Sequence, residues 1–262
     1  MGRITEVFQD LRGRGQKALV LFVTAGDPDI AQLLPILNAL AEGGADIIEV
    51  GLPFSDPIAD GPTIQAASQR ALDRGATTAK IFQALEGFQG PPIVFMGYYN
   101  PILKMGPDVF AAQAKNAGGA ANIVCDLTAE EADQWCEASQ HHGLDTVFLA
   151  APTSTDERLD GVCQRSTGFV YAVSRTGVTG SNPSGETEAE NLVARLRERT
   201  KTPVCVGFGV RTPDDVREVC RFADGAVIGS WLVDFLAHEW KAGEGRERLV
   251  SAVKALKAAT LP

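Results

Sequence analysis

The stretch ADIIEVGLPFSDPIADGP, residues 45–62, contains the repeating unit of the fold. Its first half, ADIIEVGL (45–52), is an apolar run with one acid, Glu49, in its middle. A short run of this kind, which hardly alternates between apolar and polar residues, is typical of a strand buried on both faces of a parallel sheet. The second half is rich in Pro, Asp and Gly, which favour turns and loops. The stretch therefore predicts a buried parallel strand followed by a loop.

The same unit recurs along the whole chain. Seven further apolar runs have this character: ALVLFVTAG (18–26), PIVFMGYY (92–99), ANIVCD (121–126), DTVFLA (145–150), GFVYAVS (168–174), PVCVGFG (203–209) and GAVIGS (225–230). In the segments between these runs, apolar residues recur at the spacing of a helix, and a short amphipathic helix is predicted at about residues 4–12. Eight β-α units in about 250 residues predict a TIM (β/α)8 barrel with an extra N-terminal helix, a single domain over residues 1–262. An open doubly wound sheet is the alternative, but no glycine fingerprint follows the first strand.

The composition argues against several classes of protein. The net charge is −9, and the short basic regions 195–199 and 211–217 are interpreted as solvated helix faces, so nothing favours a nucleic-acid partner. There is no apolar run of 18 residues for a membrane span and no secretory signal. The five cysteines lack CxxC spacing and are expected to be reduced thiols, as in the cytoplasm. His141, His142 and His238 follow no strand, so we interpret them as surface residues and expect no metal site.

Glycines follow the last two predicted strands. Gly207-Phe208-Gly209 ends the seventh run, and Gly229-Ser230 ends the eighth directly before a helical stretch. Backbone N–H groups at such places bind anions, and TIM barrels often bind phosphate between the seventh and eighth loops. Gly180, after the sixth strand, could add a third N–H group. Because no nucleotide-binding motif is present, a small sugar phosphate is favoured over a nucleotide.

Two acids are candidates for proton chemistry. Glu49 lies within the second strand, and if it points into the barrel, loss of solvent would raise its pKa and suit it to acid or base work. Asp60 lies in the following loop and could return over the barrel mouth. A pair of carboxylates in different environments can divide acid and base roles. The residues alone leave two alternatives open: a salt-bridged core residue for Glu49, and a turn-forming residue before glycine for Asp60.

Aromatic residues occur at or near the ends of several predicted strands. They could hold a planar apolar group or simply fill the core: Phe22, Tyr98, Tyr171 and Phe208. The two long loops, residues 53–62 and 174–185, are rich in Gly, Pro, Ser and Asp and are predicted to be lids or binding loops.

Together these motifs resemble the alpha subunit of tryptophan synthase. The matching stretches are FVTAGDPD (22–29), GADIIEVGLPFSDPIADGPTIQ (44–65), MGYYNPIL (96–103), YAVSRTGVTG (171–180), VGFGVRTPDDV (206–216) and Gly229-Ser230. They occur in one order through most of the chain, and the blocks 44–65 and 171–180 are highly specific. The chain is identified as a member of this family, which is a TIM barrel with an extra N-terminal helix.

The resemblance implies a carbon–carbon lyase. The family cleaves indole-3-glycerol phosphate to indole and glyceraldehyde 3-phosphate without metal or organic cofactor. Glu49 would protonate the indole carbon that bears the glycerol chain, Asp60 would accept a hydrogen bond from the indole N–H, and Thr179 would close on Asp60. The remaining site residues implied are the phosphate ligands Gly180, Gly209, Gly229 and Ser230 and the substrate walls Phe22, Tyr98, Tyr171 and Phe208.

The resemblance also implies a partner. The family passes indole through a tunnel to a beta subunit that uses pyridoxal phosphate, in an α2β2 heterotetramer of tryptophan biosynthesis. Residues 53–57 and Asn100-Pro101 resemble its docking surface. The chain departs from the family at Cys125, beside the indole position, and at Thr128, where Pro is usual, which bears on coupling to the partner. Three alternatives stay open: a free-standing indole-3-glycerol-phosphate lyase, a sugar-phosphate isomerase, and a non-catalytic activator of a beta subunit.

Overall fold

The computed structural model describes residues 2–173, 184–207, 209–241 and 244–261, with only the backbone at 184–187. The strands are β1 Ala18–Thr24, β2 Ile47–Gly51, β3 Ile93–Gly97, β4 Gly119–Val124, β5 Asp145–Val147, β6 Leu149–Ala150, β7 Val170–Val173, β8 Val204–Gly207 and β9 Gly225–Ile228. The helices are α1 Arg3–Gly13, α2 Leu33–Gly43, α3 Pro62–Asp73, α4 Thr78–Ala84, α5 Tyr99–Met105, α6 Pro107–Asn116, α7 Asp133–His141, α8 Asp156–Arg165, α9 Ser184–Arg197, α10 Pro213–Cys220, α11 Ser230–Glu239 and α12 Arg246–Ala258. Short 3-10 turns lie at Ile30–Gln32 and Ala129–Glu131.

The strands form one parallel sheet in the order β5-β4-β3-β2-β1-β9-β8-β7-β6. The two ends of this order, β5 and β6, are consecutive in the chain and are separated only by Phe148. The single strand predicted at 145–150 is therefore split, because its first half pairs with β4 and its second half with β7. The sheet closes into a barrel through this segment, which confirms the predicted TIM barrel.

The barrel interior is filled by the side chains that point inward from the strands. Successive side chains of a strand point to opposite faces, so Val20 and Ile47 lie inside while Leu19 and Ile48 pack against the helices. The inward residues form one cluster with Ile4, Phe8 and Leu11 of α1. The predicted N-terminal helix thus packs against the interior cluster of the barrel.

The outer layer is the larger hydrophobic cluster, between the outward faces of the strands and the helices. Pro62 begins α3, as is usual for a residue whose missing N–H would be unpaired there, and Thr212 caps α10 in a reciprocal bond with Asp215. Within the described ranges, no helix has the length and apolar character needed to cross a membrane.

Candidate active site

Glu49 points into the barrel because it lies two residues after the inward-facing Ile47. It is 1% exposed, and in register it lies between Phe22 of β1 and Val94 of β3. Neither carboxylate oxygen has a hydrogen-bond partner among the described residues. With no cation or donor to stabilise the charge, burial raises the pKa of Glu49 to about 8. In the part of the chain that the structure describes, Glu49 forms no salt bridge, and the acid is mainly protonated near neutral pH.

Asp60 is held at the barrel mouth by a short chain of hydrogen bonds. The Ala59 N–H donates to the hydroxyl oxygen of Tyr98 (3.1 Å), and that hydroxyl donates to Oδ2 of Asp60 (3.0 Å). The Tyr98 ring stacks on Phe54 of the same loop, with 5.1 Å between ring centroids. Burial raises the pKa of Asp60 to about 6, and the hydrogen bond from Tyr98 offsets part of that rise. Asp60 is therefore mainly ionised at the pH at which Glu49 is mainly protonated.

Both acids line the same open cavity of about 810 Å³, a volume that includes space at its mouth. Ligand pockets commonly have volumes of about 300–1,000 Å³. The residues lining the cavity are Phe22, Glu49, Asp60, Gly61, Pro62, Thr63, Ile64, Met96, Tyr171, Gly209, Val210, Arg211, Val227, Gly229 and Ser230. This wall is largely apolar around the two acids, which suits a substrate with a flat aromatic part.

The aromatic wall depends on a glycine at the end of β8. A Cβ atom at Gly207 would lie 2.2 Å from the hydroxyl oxygen of Tyr171, so only glycine lets this phenol reach across to β8. Burial raises the pKa of Tyr171 well above its ordinary value, and the hydroxyl stays protonated.

The opposite end of the cavity has features of an anion site. Ser230 is the first residue of α11, and the preceding Gly229 provides no side-chain cap for its N–H groups. Gly209 has φ +88, a conformation that favours glycine, and open space surrounds the position of a Cβ atom there. Arg211 lines the same cavity, and its guanidinium has no hydrogen bond or ion pair with any described residue. The glycine backbone at Gly209, the N-terminus of α11 and a cation together favour a bound anion.

The structure brings together seven of the residues predicted from the sequence. They share the cavity: Phe22, Glu49, Asp60, Tyr171, Gly209, Gly229 and Ser230. Tyr98 instead lines an adjoining cleft with Asp60 and Cys125, and contributes a hydrogen bond to Asp60. The predicted site residues Thr179, Gly180 and Phe208 lie outside the described residues.

Arg211 is the residue that the sequence did not predict. Its region, 211–217, was interpreted as a solvated helix face, but α10 begins only at Pro213. Arg211 precedes that helix and borders the cavity. Its position two residues after Gly209 was the signal that could have placed it beside the anion site.

Comparison with known proteins identifies the family. The sequence model described as "Tryptophan synthase alpha chain" matches residues 8–260. The chain belongs to the tryptophan synthase alpha chain family. The tryptophan synthase alpha chain of Geobacter sulfurreducens is 46% identical over 262 residues, which cover 99% of each chain.

Solved structures of tryptophan synthase have the same fold. The aminoacrylate-bound form from M. tuberculosis matches with a TM-score of 0.89 and 38% identity, covering 99% of this chain and 100% of that one. The alpha subunit from Legionella pneumophila matches with a TM-score of 0.90 and 31% identity, covering 99% and 98%. Family membership confirms the predicted enzyme class: the chain is a carbon–carbon lyase that cleaves indole-3-glycerol phosphate.

Proposed function

We propose that Glu49 and Asp60 divide the chemistry of indole-3-glycerol phosphate cleavage between them. The observation that carries this proposal is their opposite protonation: the pKa of Glu49 is about 8 and that of Asp60 about 6, on the wall of one cavity. Between these values one carboxyl group holds a proton to give and the other is an anion. The division of roles follows from the two environments.

In the proposed reaction Glu49 gives its proton to the indole carbon that bears the glycerol chain. The ring then carries positive charge at its nitrogen, and the Asp60 carboxylate accepts a hydrogen bond from that N–H and stabilises the charge. The carbon–carbon bond breaks as the adjacent hydroxyl of the glycerol chain gives its proton to the Glu49 carboxylate, which the first step left ionised, so the acid is restored. The bonding electrons return to the ring, and the products are indole and glyceraldehyde 3-phosphate. No step requires a metal ion or an organic cofactor.

The phosphate group of the substrate would bind at the end of the cavity formed by Gly209, Gly229, Ser230 and Arg211. The N-terminus of α11 offers N–H groups, and Arg211 would supply a full positive charge to the dianion. We expect Arg211→Gln to raise KM for the substrate about tenfold, because a hydrogen-bonded charge on an accessible anion contributes roughly 1.5 kcal/mol.

The matched control for this change is Arg217→Gln on α10, where the guanidinium pairs with Asp214 on the surface. Direct titration with glycerol 3-phosphate reports on the anion site without the chemistry. Equal binding by wild type and the Arg211 variant would remove Arg211 from the site and leave the roles of the two acids untouched.

We also propose that the chain works with a beta subunit, to which it passes indole for tryptophan synthesis in an α2β2 assembly. Two large apolar side chains are exposed beside the loops that resemble the docking surface: Ile58 is 81% exposed and Leu103 is 50% exposed. Single exposed apolar residues are common on protein surfaces, so these two support a partner only together with the resemblance of their loops to the docking surface. Pyridoxal phosphate would belong to that partner.

The deciding experiment measures indole release from indole-3-glycerol phosphate by the purified chain, with and without a tryptophan synthase beta subunit. Glu49→Gln is expected to lower kcat about 10²–10⁴-fold, since it removes the proton donor, and Asp60→Asn about 10²-fold or more. Asp73→Asn, an exposed acid at the end of α3, is the control. Release that rises sharply with the beta subunit supports the complex, whereas fast release by the chain alone would favour a free-standing lyase. Full activity in both acid variants would exclude the proposed roles.

A further inference from the structure

Two helices on the outside of the barrel bring three metal-binding side chains together. Asp108 lies in the first turn of α6, His141 is the last residue of α7, and His142 follows it. The Nε2 atom of His142 lies 2.9 Å from Oδ1 of Asp108, and the Nδ1 atom of His141 lies 3.9 Å from the same oxygen. The two imidazole rings are stacked, with centroids 4.7 Å apart and planes 9° apart.

The sequence predicted no metal site because the histidines follow no strand, but the structure places Asp108 of a neighbouring helix beside two of them. We propose that Asp108, His141 and His142 form a binding site for a divalent transition-metal ion such as Zn²⁺, separate from the catalytic cavity. Their ligand atoms all lie within 4.8 Å of one another. A tetrahedral zinc ion holds nitrogen and oxygen ligands at about 2.0–2.2 Å, which places the ligand atoms about 3.3 Å from each other. The two distances to Asp108 lie on either side of that value, and the histidine side chains must rotate from their stacked arrangement to direct both ring nitrogens at one ion.

The packing around the cluster holds the two helices in place. The Lys115 Nζ donates a hydrogen bond to the carbonyl oxygen of Gly143 (2.8 Å), which ties the end of α7 to α6. The rings of Phe110 and Trp135 meet edge to face between the same helices, 5.9 Å apart. Because neither helix has to move, the ordering cost of metal binding falls mainly on the side chains.

The donor set selects the class of ion. Imidazole nitrogen suits Zn²⁺, Ni²⁺ and Cu²⁺, whereas Mg²⁺ and Ca²⁺ require mainly oxygen ligands. The side chain of His142 is 22% exposed, while those of His141 and Asp108 are 74% and 66% exposed, so one side of the cluster is open to water. Water would complete the coordination, and an affinity weaker than that of a closed four-ligand site is expected.

The competing explanation is a hydrogen bond between His142 and Asp108 that serves only to join the two helices. That explanation requires His142 and Asp108 but gives no role to His141. The proposal requires all three, and this difference can be measured.

Isothermal titration of the full chain with Zn²⁺ tests the proposal. One ion per chain is expected, with binding weakened about tenfold or more by each of Asp108→Asn, His141→Asn and His142→Asn. His238→Asn is the matched control, because this third histidine of the sequence lies on α11, away from the cluster. Cys136→Ser is a second control, since this partly exposed thiol of α7 could itself bind zinc.

Circular dichroism would establish that each variant is folded, and zinc is expected to raise the Tm of the wild type but not of the cluster variants. Absence of zinc binding, binding unchanged in the three cluster variants, or binding lost in Cys136→Ser instead would each overturn the proposal. Binding that depends on His142 and Asp108 but not on His141 would contradict it as well.

Discussion

At the scale of single residues, Glu49 links catalysis to stability. Its pKa is raised from 4.5 in the unfolded reference to about 8 in the folded protein, because burial disfavours the charge. The folded state therefore binds the proton more tightly than the unfolded state. Stability due to this group is fully present below pH 4.5 and is lost as the pH rises toward 8.

The Glu49→Gln variant should escape this loss. We expect its free energy of unfolding, relative to wild type, to improve by about 2–3 kcal/mol between pH 5 and pH 7, since the amide does not ionise. Urea denaturation of both proteins at the two pH values measures the change. A constant difference at both would mean that Glu49 is not an isolated buried acid.

Tyr98 is expected to act by positioning Asp60. Tyr98→Phe removes the donor to Asp60 and the acceptor for Ala59, so the pKa of Asp60 should rise and stability should fall by about 1 kcal/mol. The profile of kcat/KM against pH should be bell-shaped, with limbs near pH 6 and pH 8, and the variant should move only the acidic limb upward. Tyr99→Phe, which leaves both contacts in place, is the control. An acidic limb that does not move in Tyr98→Phe would argue against the role.

The sequence left the direction of Glu49 open, because both faces of this strand are apolar, with Ile47 on one face and Ile48 and Val50 on the other. The hydrogen bond from Tyr98 to Asp60 was not predictable either, because it joins residues 38 positions apart through a loop whose path no periodicity determines. Tyr98 was predicted as a substrate wall, and that role stays a prediction beside the contact now seen.

At the scale of elements, the end of β2 is fitted closely to β1. A Cβ atom at Gly51 would lie 2.5 Å from Cζ of Phe22, a ring that lines the catalytic cavity. Gly51→Ala is expected to displace the ring, raise KM and destabilise the protein by about 1–3 kcal/mol. Gly13→Ala, in α1 with open space around it, should instead be neutral or slightly stabilising. Steady-state kinetics and thermal unfolding of both variants compare the two sites.

The elements also show where sequence patterns stop being informative. The eight apolar runs predicted the positions of the strands, because a strand buried on both faces consists of consecutive apolar residues. The run 92–99 was expected to be one strand, but β3 ends at Gly97 and the chain turns into α5 at Tyr99. The apolar residues continue past the end of the strand, so the sequence pattern does not indicate where the backbone leaves the sheet.

At the scale of the whole molecule, the exposed apolar side chains should matter only when a partner is present. Ile58→Glu is expected to weaken binding of a beta subunit about tenfold or more and to leave the unfolding of the isolated chain unchanged, because Ile58 is 81% exposed. Leu261→Glu, at another exposed apolar residue (46% exposed) near the C-terminus, is the control. Analytical ultracentrifugation measures the assembly, and equal weakening by both changes would point to a nonspecific effect.

The split of the fifth strand leaves short ladders at this point of the barrel, since β5 pairs over three residues with β4 and β6 over two residues with β7. Two backbone hydrogen bonds tie the segment to the chain at β7, from the Thr167 N–H to the Thr146 carbonyl (2.9 Å) and from the Tyr171 N–H to the Phe148 carbonyl (3.0 Å). β1, which has longer ladders on both sides, occupies the middle of the strand order, opposite this split. Amide protons flanking Phe148 should therefore exchange with deuterated solvent sooner than those of β1, and local opening of the barrel should begin there.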